Sequence, residues 1–231
     1  MKNDHYPFIN LPLHYPYDAL EPFIDVKTME LHHERHLQTY INNLNEVLKT
    51  RPQLQKLSLT QLIRSAPRLP RELQTAIRNN AGGVYNHRFF FDGLENSSAR
   101  QPSGSLAAAI DSRFGSYDNF RELFKTAALS VFGSGYAWLT ADRGRLSIVT
   151  SPNQNSPIEQ GLCPILAIDV WEHSYYLKHY NVRLQIISAF SCNLTIIKDV
   201  SVGITSGETS FSLCGSNAAS VCAVQSSGSV F

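Results

Sequence analysis

The sequence predicts an α+β fold: an N-terminal antiparallel helical hairpin, then an α/β domain with a small antiparallel sheet. Three observations predict it. Apolar residues recur at helical spacing over two long stretches before residue 92; a polar break, Asn-Ser-Ser-Ala-Arg-Gln-Pro-Ser-Gly, occupies 96–104; and a strand–turn–strand pattern surrounds Asp142-Arg143-Gly144.

The elements follow in order. The first 25 residues are rich in Pro and Tyr, lack a helical period, and read as an extended entry segment. Over about 26–50, Met29, Leu37, Tyr40, Ile41, Leu44 and Leu48 form one stripe, and Pro52 stops it. A polar, Pro-containing connection leads to a second helix over about 70–91. Each helix has a single apolar stripe, so the pair buries both by packing as a hairpin. Beyond the break come shorter helices at 106–114 and 117–129. Gly133-Ser134-Gly135 interrupts; 136–140 and 146–150 then flank the turn as a β-hairpin, and 164–170 is a third, buried strand. The divisions are 1–97, a helical-hairpin domain; 98–183, an α/β domain; and 184–231, an atypical tail.

The tail is set apart by composition. Its 48 residues hold 11 Ser, three of the four cysteines and only three charges, Lys198, Asp199 and Glu208, with no Trp, Tyr or Pro. It reads as poorly ordered, above all beyond Gly203, with Ile186-Ile187 the segment still able to cover core. A shifted reading frame or a recombined end would explain the change, and translating the encoding nucleotides in the other two frames tests that.

Charge and composition exclude several function classes. Twenty Lys plus Arg against nineteen Asp plus Glu give a formal net charge of +1. That balance excludes nucleic-acid binding by bulk positive charge, but not a local basic funnel for a small anion. No apolar run nears the roughly 20 residues that span a bilayer, so no membrane partner is expected. The amino terminus has no basic-then-apolar pattern, and the expected location is cytoplasmic. The cysteines lack the spacing of a zinc site or a disulfide framework.

The chemistry-bearing residues are three histidines and an aspartate. His32, His36 and Tyr40 are spaced by four and share one helix face; His33, a quarter-turn away, reads as solvated. His87 follows Asn86 on the second helix and precedes Phe89-Phe90-Phe91. Asp169-Val170-Trp171-Glu172-His173 puts a carboxylate and an imidazole just past the third strand. Singly, each has an ordinary reading: a boundary histidine, an aromatic core, an aspartate capping a helix. Together, three imidazoles and a carboxylate without thiolate suit manganese or iron better than structural zinc. An open coordination position would make such a site catalytic.

At these residues the chain resembles the manganese/iron superoxide dismutases, from about Leu11 to Arg183. The likeness includes Pro16-Tyr17-Asp18-Ala19-Leu20-Glu21-Pro22, Leu31-His32-His33 and His36…Tyr40-Ile41-Asn42-Asn43-Leu44-Asn45. It continues through Gly82-Gly83…Asn86-His87, Gly133-Ser134-Gly135, Pro152-Asn153-Gln154, Asp169-Val170-Trp171-Glu172-His173…Tyr175-Tyr176-Leu177 and Asn181-Val182-Arg183. The resemblance implies that His32, His87, Asp169 and His173 bind one manganese ion per subunit, iron being possible. It implies that Tyr40 and His36 line the substrate channel and that Gln154 hydrogen-bonds Tyr40 and metal-bound solvent. Tyr136, Trp138 and Trp171 would wall the site, and Arg183 and Arg35 would attract the anion. In the implied homodimer, Glu172 reaches a metal-binding histidine of the partner subunit and His36 pairs with the partner's Tyr176.

The activity implied is conversion of superoxide to oxygen and hydrogen peroxide by one-electron cycling of the metal. A glutamine near the bound solvent would tune the metal's potential. Iron-type members usually carry that glutamine where this chain has Gly83, manganese types where it has Gln154, so manganese is expected. The chain departs from the family pattern at Tyr136, generally Trp, at Phe91, commonly Trp, and after Arg183. Two alternatives stay open: an inactive or poorly folded member with a disrupted C-terminus, and a non-heme iron oxygenase using two histidines and a carboxylate.

Overall fold

A computed structural model describes residues 3–95, 102–193, 200–205 and 208–213. Most of the expected break at 96–104, and the tail from 214 onward, lie outside the described residues. The first apolar stripe forms one continuous helix, α1, over 26–49. It starts as Val26–Leu31, widens into a π-helical stretch, His32–Leu37, and returns to α as Gln38–Lys49. Asp25 caps it, accepting the Thr28 N–H at 2.9 Å. Met29, Leu37, Ile41, Leu44 and Leu48 are buried along it.

The connection expected to be a loop contains a helix, α2, Leu59–Ser65. A capping box starts it: Ser58 Oγ accepts the Gln61 N–H at 3.2 Å, and Gln61 Oε1 accepts the Ser58 N–H at 2.9 Å. The Ser-x-x-Gln pattern was its sequence signal. The second hairpin helix, α3, is Arg71–Asp92; it packs along α1 and reaches the sheet, so it joins the two halves of the molecule. Helices α4, Gly104–Phe114, and α5, Tyr117–Ser130, follow close to expectation.

The sheet has strands β1, Gly135–Asp142; β2, Arg145–Pro152; and β3, Cys163–Asp169. They are antiparallel in the order β2-β1-β3. With β1 central, Tyr136 lies opposite Ser151 on one side and Asp169 on the other. Helix α5 covers β1 and β2, while α3 contacts β3. No helix among the described residues is long and apolar enough to cross a membrane.

Two expectations need correction here. The tail does not leave the fold at Leu184, because Arg183–Asn193 is a helix, α6, packed on α5. Its Ile186, Ile187 and Phe190 are buried, and Phe190 stacks on Phe90 and Phe124 with centroids 6.4 Å from each. Those three residues share a helical face, a period that the Ser-rich composition masked. A second hairpin, β4 (Val200–Thr205) with β5 (Glu208–Leu213), follows.

The second correction is His33, which is buried rather than solvated. Its Nε2 donates to the Leu11 carbonyl at 2.9 Å, and its Nδ1 lies 2.9 Å from the Tyr17 hydroxyl. The wide π-helical turn brings two successive histidines inward. His33 thereby helps strap the irregular N-terminal segment to the hairpin. Asn45 joins it through paired bonds to the Phe8 N–H and carbonyl, at 2.8 and 2.7 Å. Arg88 adds a bond to the Ile9 carbonyl at 2.7 Å.

Candidate metal centre

Two helices and one strand end converge to build the centre. His32 comes from the π-helical stretch of α1 and His87 from the middle of α3. Asp169 is the last residue of β3, and His173 lies in the one-turn helix Glu172–Ser174 just beyond it. One nitrogen or oxygen from each of the four lies within 4.8 Å of the others. That is close to the span of donors around one ion bonded at roughly 2.0–2.2 Å. His32 Nε2 is 3.3 Å from Asp169 Oδ2 and 3.2 Å from His173 Nε2.

Two of these donors are buried without a hydrogen-bond partner: His87 Nε2 and Asp169 Oδ2. Such orphaned groups each cost about 1–3 kcal/mol and call for an explanation. A carbonyl only accepts, so His87 Nδ1, 2.7 Å from the Gly83 oxygen, carries the proton there. Its Nε2 is left as a bare lone pair aimed into the cluster. Asp169 Oδ1 accepts the Trp171 N–H at 2.8 Å, which orients Oδ2 inward. Inward lone pairs, held by outward hydrogen bonds, are what a cation site requires.

The electrostatics agree. Burial lowers His32 to about 4, against the pull of the Asp169 carboxylate beside it, and lowers His87 well below the ordinary imidazole value. Burial alone would raise Asp169, but the His173 and His32 imidazoles beside it outweigh that and hold the carboxyl well below its usual range. At neutral pH His32 and His87 are therefore neutral imidazoles beside the Asp169 carboxylate. The residues fit a divalent or trivalent first-row ion.

Around this core lies a chain of hydrogen bonds. Gln154 Nε2 donates to the Tyr40 hydroxyl at 3.1 Å, and Gln154 Oε1 accepts from the Tyr136 hydroxyl at 3.2 Å. Asn153 adopts a left-handed turn, φ 52°, and its N–H bonds the Ser134 carbonyl at 2.9 Å; this directs Gln154 inward. Burial raises Tyr40 above its ordinary value and Tyr136 much further. A Cβ at Gly83 would fall 2.5 Å from the Tyr40 ring, so α3 has no room there for any side chain.

Family models match nearly the whole described chain. The α-hairpin domain of iron/manganese superoxide dismutases matches residues 5–95, and the C-terminal domain of the same enzymes matches 102–198. The chain belongs to the iron/manganese superoxide dismutase family. Similar proteins include "Superoxide dismutase [Mn]" of Thermus thermophilus, 46% identical over 80% of this chain and 91% of the relative. "Superoxide dismutase [Mn] 1" of Leptolyngbya boryana is 47% identical over 77% and 73%. "Superoxide dismutase [Mn] 2" of Bacillus anthracis is 44% identical over 76% and 85%. The family match runs past Arg183, where sequence reading ended the likeness, and takes in all of α6.

The other expected site residues divide by location. His36 is half-buried and stacks on His173 at 4.0 Å; Trp171 lies over the same ring at 5.4 Å. Trp138 sits behind Tyr136 at 5.3 Å, with its indole N–H on Ser151 Oγ at 2.9 Å. Phe91 packs edge-on to His32 at 4.8 Å, so it still lines the core. Glu172, Tyr176 and Arg35 are exposed. Arg183 uses its guanidinium structurally, donating to the Val131 and Gly133 carbonyls at 2.6 Å each and to the Tyr175 hydroxyl at 3.2 Å. Sequence reasoning missed Asn86, whose Nδ2 donates to the Gln154 carbonyl at 3.1 Å; its place beside His87 was the signal.

Proposed function

We propose that this protein is a superoxide dismutase that converts superoxide to oxygen and hydrogen peroxide at one manganese ion, held by His32, His87, Asp169 and His173. The observation that carries the proposal is the buried cluster of three imidazoles and a carboxylate with orphaned inward donors. When bound, the ion supplies one-electron redox chemistry between two oxidation states.

The chain's own residues do the remaining work. Asp169 supplies the negative charge that the cation balances, and His32 and His87, kept neutral by burial, add lone pairs without further charge. Peroxide formation needs two protons, and Tyr40 is placed to hold one. Its oxygen accepts from Gln154, which leaves its own proton free for donation. Its raised pKa keeps that proton in place at neutral pH. His36 and Trp171 cover His173 from the partly exposed side and restrict water there.

Manganese rather than iron is supported by the names of the relatives and by the Tyr40 ring, which occupies the space a glutamine at position 83 would need. No observation favours a silent member. Three imidazoles rather than two set the centre apart from a two-histidine oxygenase. A homodimer belongs to the same proposal: Glu172 and Tyr176 are exposed, beside exposed Leu177 and Tyr180, and Phe132 is fully exposed. Light scattering tests it. Cytoplasmic residence is carried by the sequence reading alone, and cell fractionation tests that.

The test of the whole proposal is elemental analysis of full-length protein grown with manganese and iron available, followed by a superoxide disproportionation assay. Near-stoichiometric manganese with activity is the expected result. Near-stoichiometric iron overturns the choice of metal, and neither ion overturns the function.

A further inference from the structure

The near-zero net charge hides an uneven distribution. Seven of the 20 Lys and Arg residues lie within 49–78, where Glu72 is the one acid; the rest of the chain carries 13 basic residues against 18 acidic. This span is the end of the helical hairpin remote from the metal centre, closing α1, containing α2 and opening α3. Three of the seven cations are occupied. Lys49 pairs with Glu46 at 3.4 Å, Arg78 Nε pairs with Glu159 at 3.0 Å, and Arg51 donates to the Val47 carbonyl. Lys56, Arg64, Arg68 and Arg71 are exposed, and among the described residues none of the four forms an ion pair.

The three arginines meet at the corner between α2 and α3. Arg64 stands in the last turn of α2, Arg68 ends the single 3₁₀ turn Ala66–Arg68, and Arg71 is the first residue of α3. Ser65 and Ala66 keep helical backbone angles, so Arg64 and Arg68 are about 6 Å of helical rise apart. Leu69 and Pro70 are extended, which puts Arg71 at most about 10 Å further on. Like charges so spaced repel, and an arriving anion relieves them.

We propose that this corner is a docking surface for the phosphate backbone of double-stranded nucleic acid, bound without sequence preference. A guanidinium fork matches phosphate oxygens in pairs. The span 49–78 has no Phe, Tyr or Trp, so it offers no platform for stacking unpaired bases. None of its large apolar side chains is exposed to enter a bilayer. Steering of superoxide is a poor alternative. Arg71 and His87 are separated along α3 by about 24 Å of helix, more than two Debye lengths in physiological salt. The proposal therefore stands apart from the dismutase reading.

Fluorescence anisotropy of a labelled duplex of about 20 base pairs, titrated with full-length metal-loaded protein between about 50 and 200 mM NaCl, tests it. The logarithm of affinity should fall linearly with the logarithm of salt, with a slope of about −3.6 for four phosphate contacts. Combining Arg64→Gln, Arg68→Gln and Arg71→Gln should bring the slope to about −0.9 and weaken binding at low salt more than about tenfold. Arg143→Gln with Arg145→Gln, an exposed pair at the β1–β2 turn, should leave both unchanged. No binding by wild-type protein, an unchanged slope in the triple variant, or an equal loss in the control overturns the proposal. Tighter binding to phosphatidylserine-containing vesicles than to the duplex assigns the corner to a membrane instead. A wild-type oligomer that the triple variant loses, by light scattering, assigns it to a second copy, and either result also overturns the proposal. Should the triple variant not fold, each single substitution is expected to cut the slope by about 0.9, and three unchanged slopes overturn it. A wild-type protein without dismutase activity would overturn that reading and leave the slopes standing.

Discussion

His87 and Gln154 belong to one buried cluster, yet they are treated in opposite ways. His87 keeps one ring nitrogen buried and without a partner, whereas Gln154 has its carboxamide occupied at both ends, by Tyr40 on one side and Tyr136 and Asn86 on the other. The inner side of the centre is left electrostatically incomplete; on the outer side the Gln154 carboxamide is saturated. The incomplete side lowers stability in order to bind, and the saturated side holds direction. Substitutions on the two sides should therefore fail differently.

The largest effect is expected inside. His87→Ala should reduce manganese from near-stoichiometric to near zero by elemental analysis, with the far-UV helical signal retained. A variant that still holds the ion would mean that the orphaned nitrogen has another purpose.

Acid should act on the same side. His32 titrates at about 4 in the folded chain against an ordinary 6.5, because burial disfavours its charged form. As pH falls below 6.5 the unfolded chain takes up that proton first, so stability should decline down to about 4 and then cease to fall on this account. Asp169, held below the usual carboxylate range, adds further loss as its unfolded form protonates. Denaturation midpoints measured with chelator present, from pH 8 downward, check the sign. A midpoint that rose on acidification would refute it.

On the saturated side, Gln154→Ala should keep the metal and slow turnover by about 10–100-fold, the range typical of groups that orient a metal site. Equal metal loss in Gln154→Ala and His87→Ala would erase the contrast between the two sides. Smallest of all, and away from the centre, Asn45→Ala removes a fully paired amide that straps Phe8. It should cost about 1–3 kcal/mol in unfolding experiments and leave manganese content untouched.

Much of this was legible in the sequence, and the failures have physical causes. The stripes of α1 and α3 and the turn at Asp142-Arg143-Gly144 gave elements close to those observed, because period and turn chemistry are local. The four side chains that the structure clusters, His32, His87, Asp169 and His173, were legible through their motifs. Helix α2 was missed although Ser58 and Gln61 announced its cap, since Pro52 and Pro67 suggested a loop. Of α6 only the covering role of Ile186-Ile187 was legible; the helix itself and Phe190 were missed because Ser-rich composition masked the period. Asn86 and the burial of His33 were hidden for a different reason. Both depend on partners distant in sequence: Gln154 for one, Leu11 and Tyr17 for the other.

The π-helical stretch His32–Leu37 has a consequence for how this chain tolerates change in length. A π turn amounts to one residue more than the α turn it replaces. Deleting a single residue between His32 and Leu37 would let α1 close into regular α-helix, with better backbone geometry than before. The same deletion would rotate His32 and His33 relative to Tyr40 and everything after it, withdrawing a ligand from the centre and a fastening from the N-terminal segment. Within those six residues, the shorter chain would be the better helix and the worse enzyme.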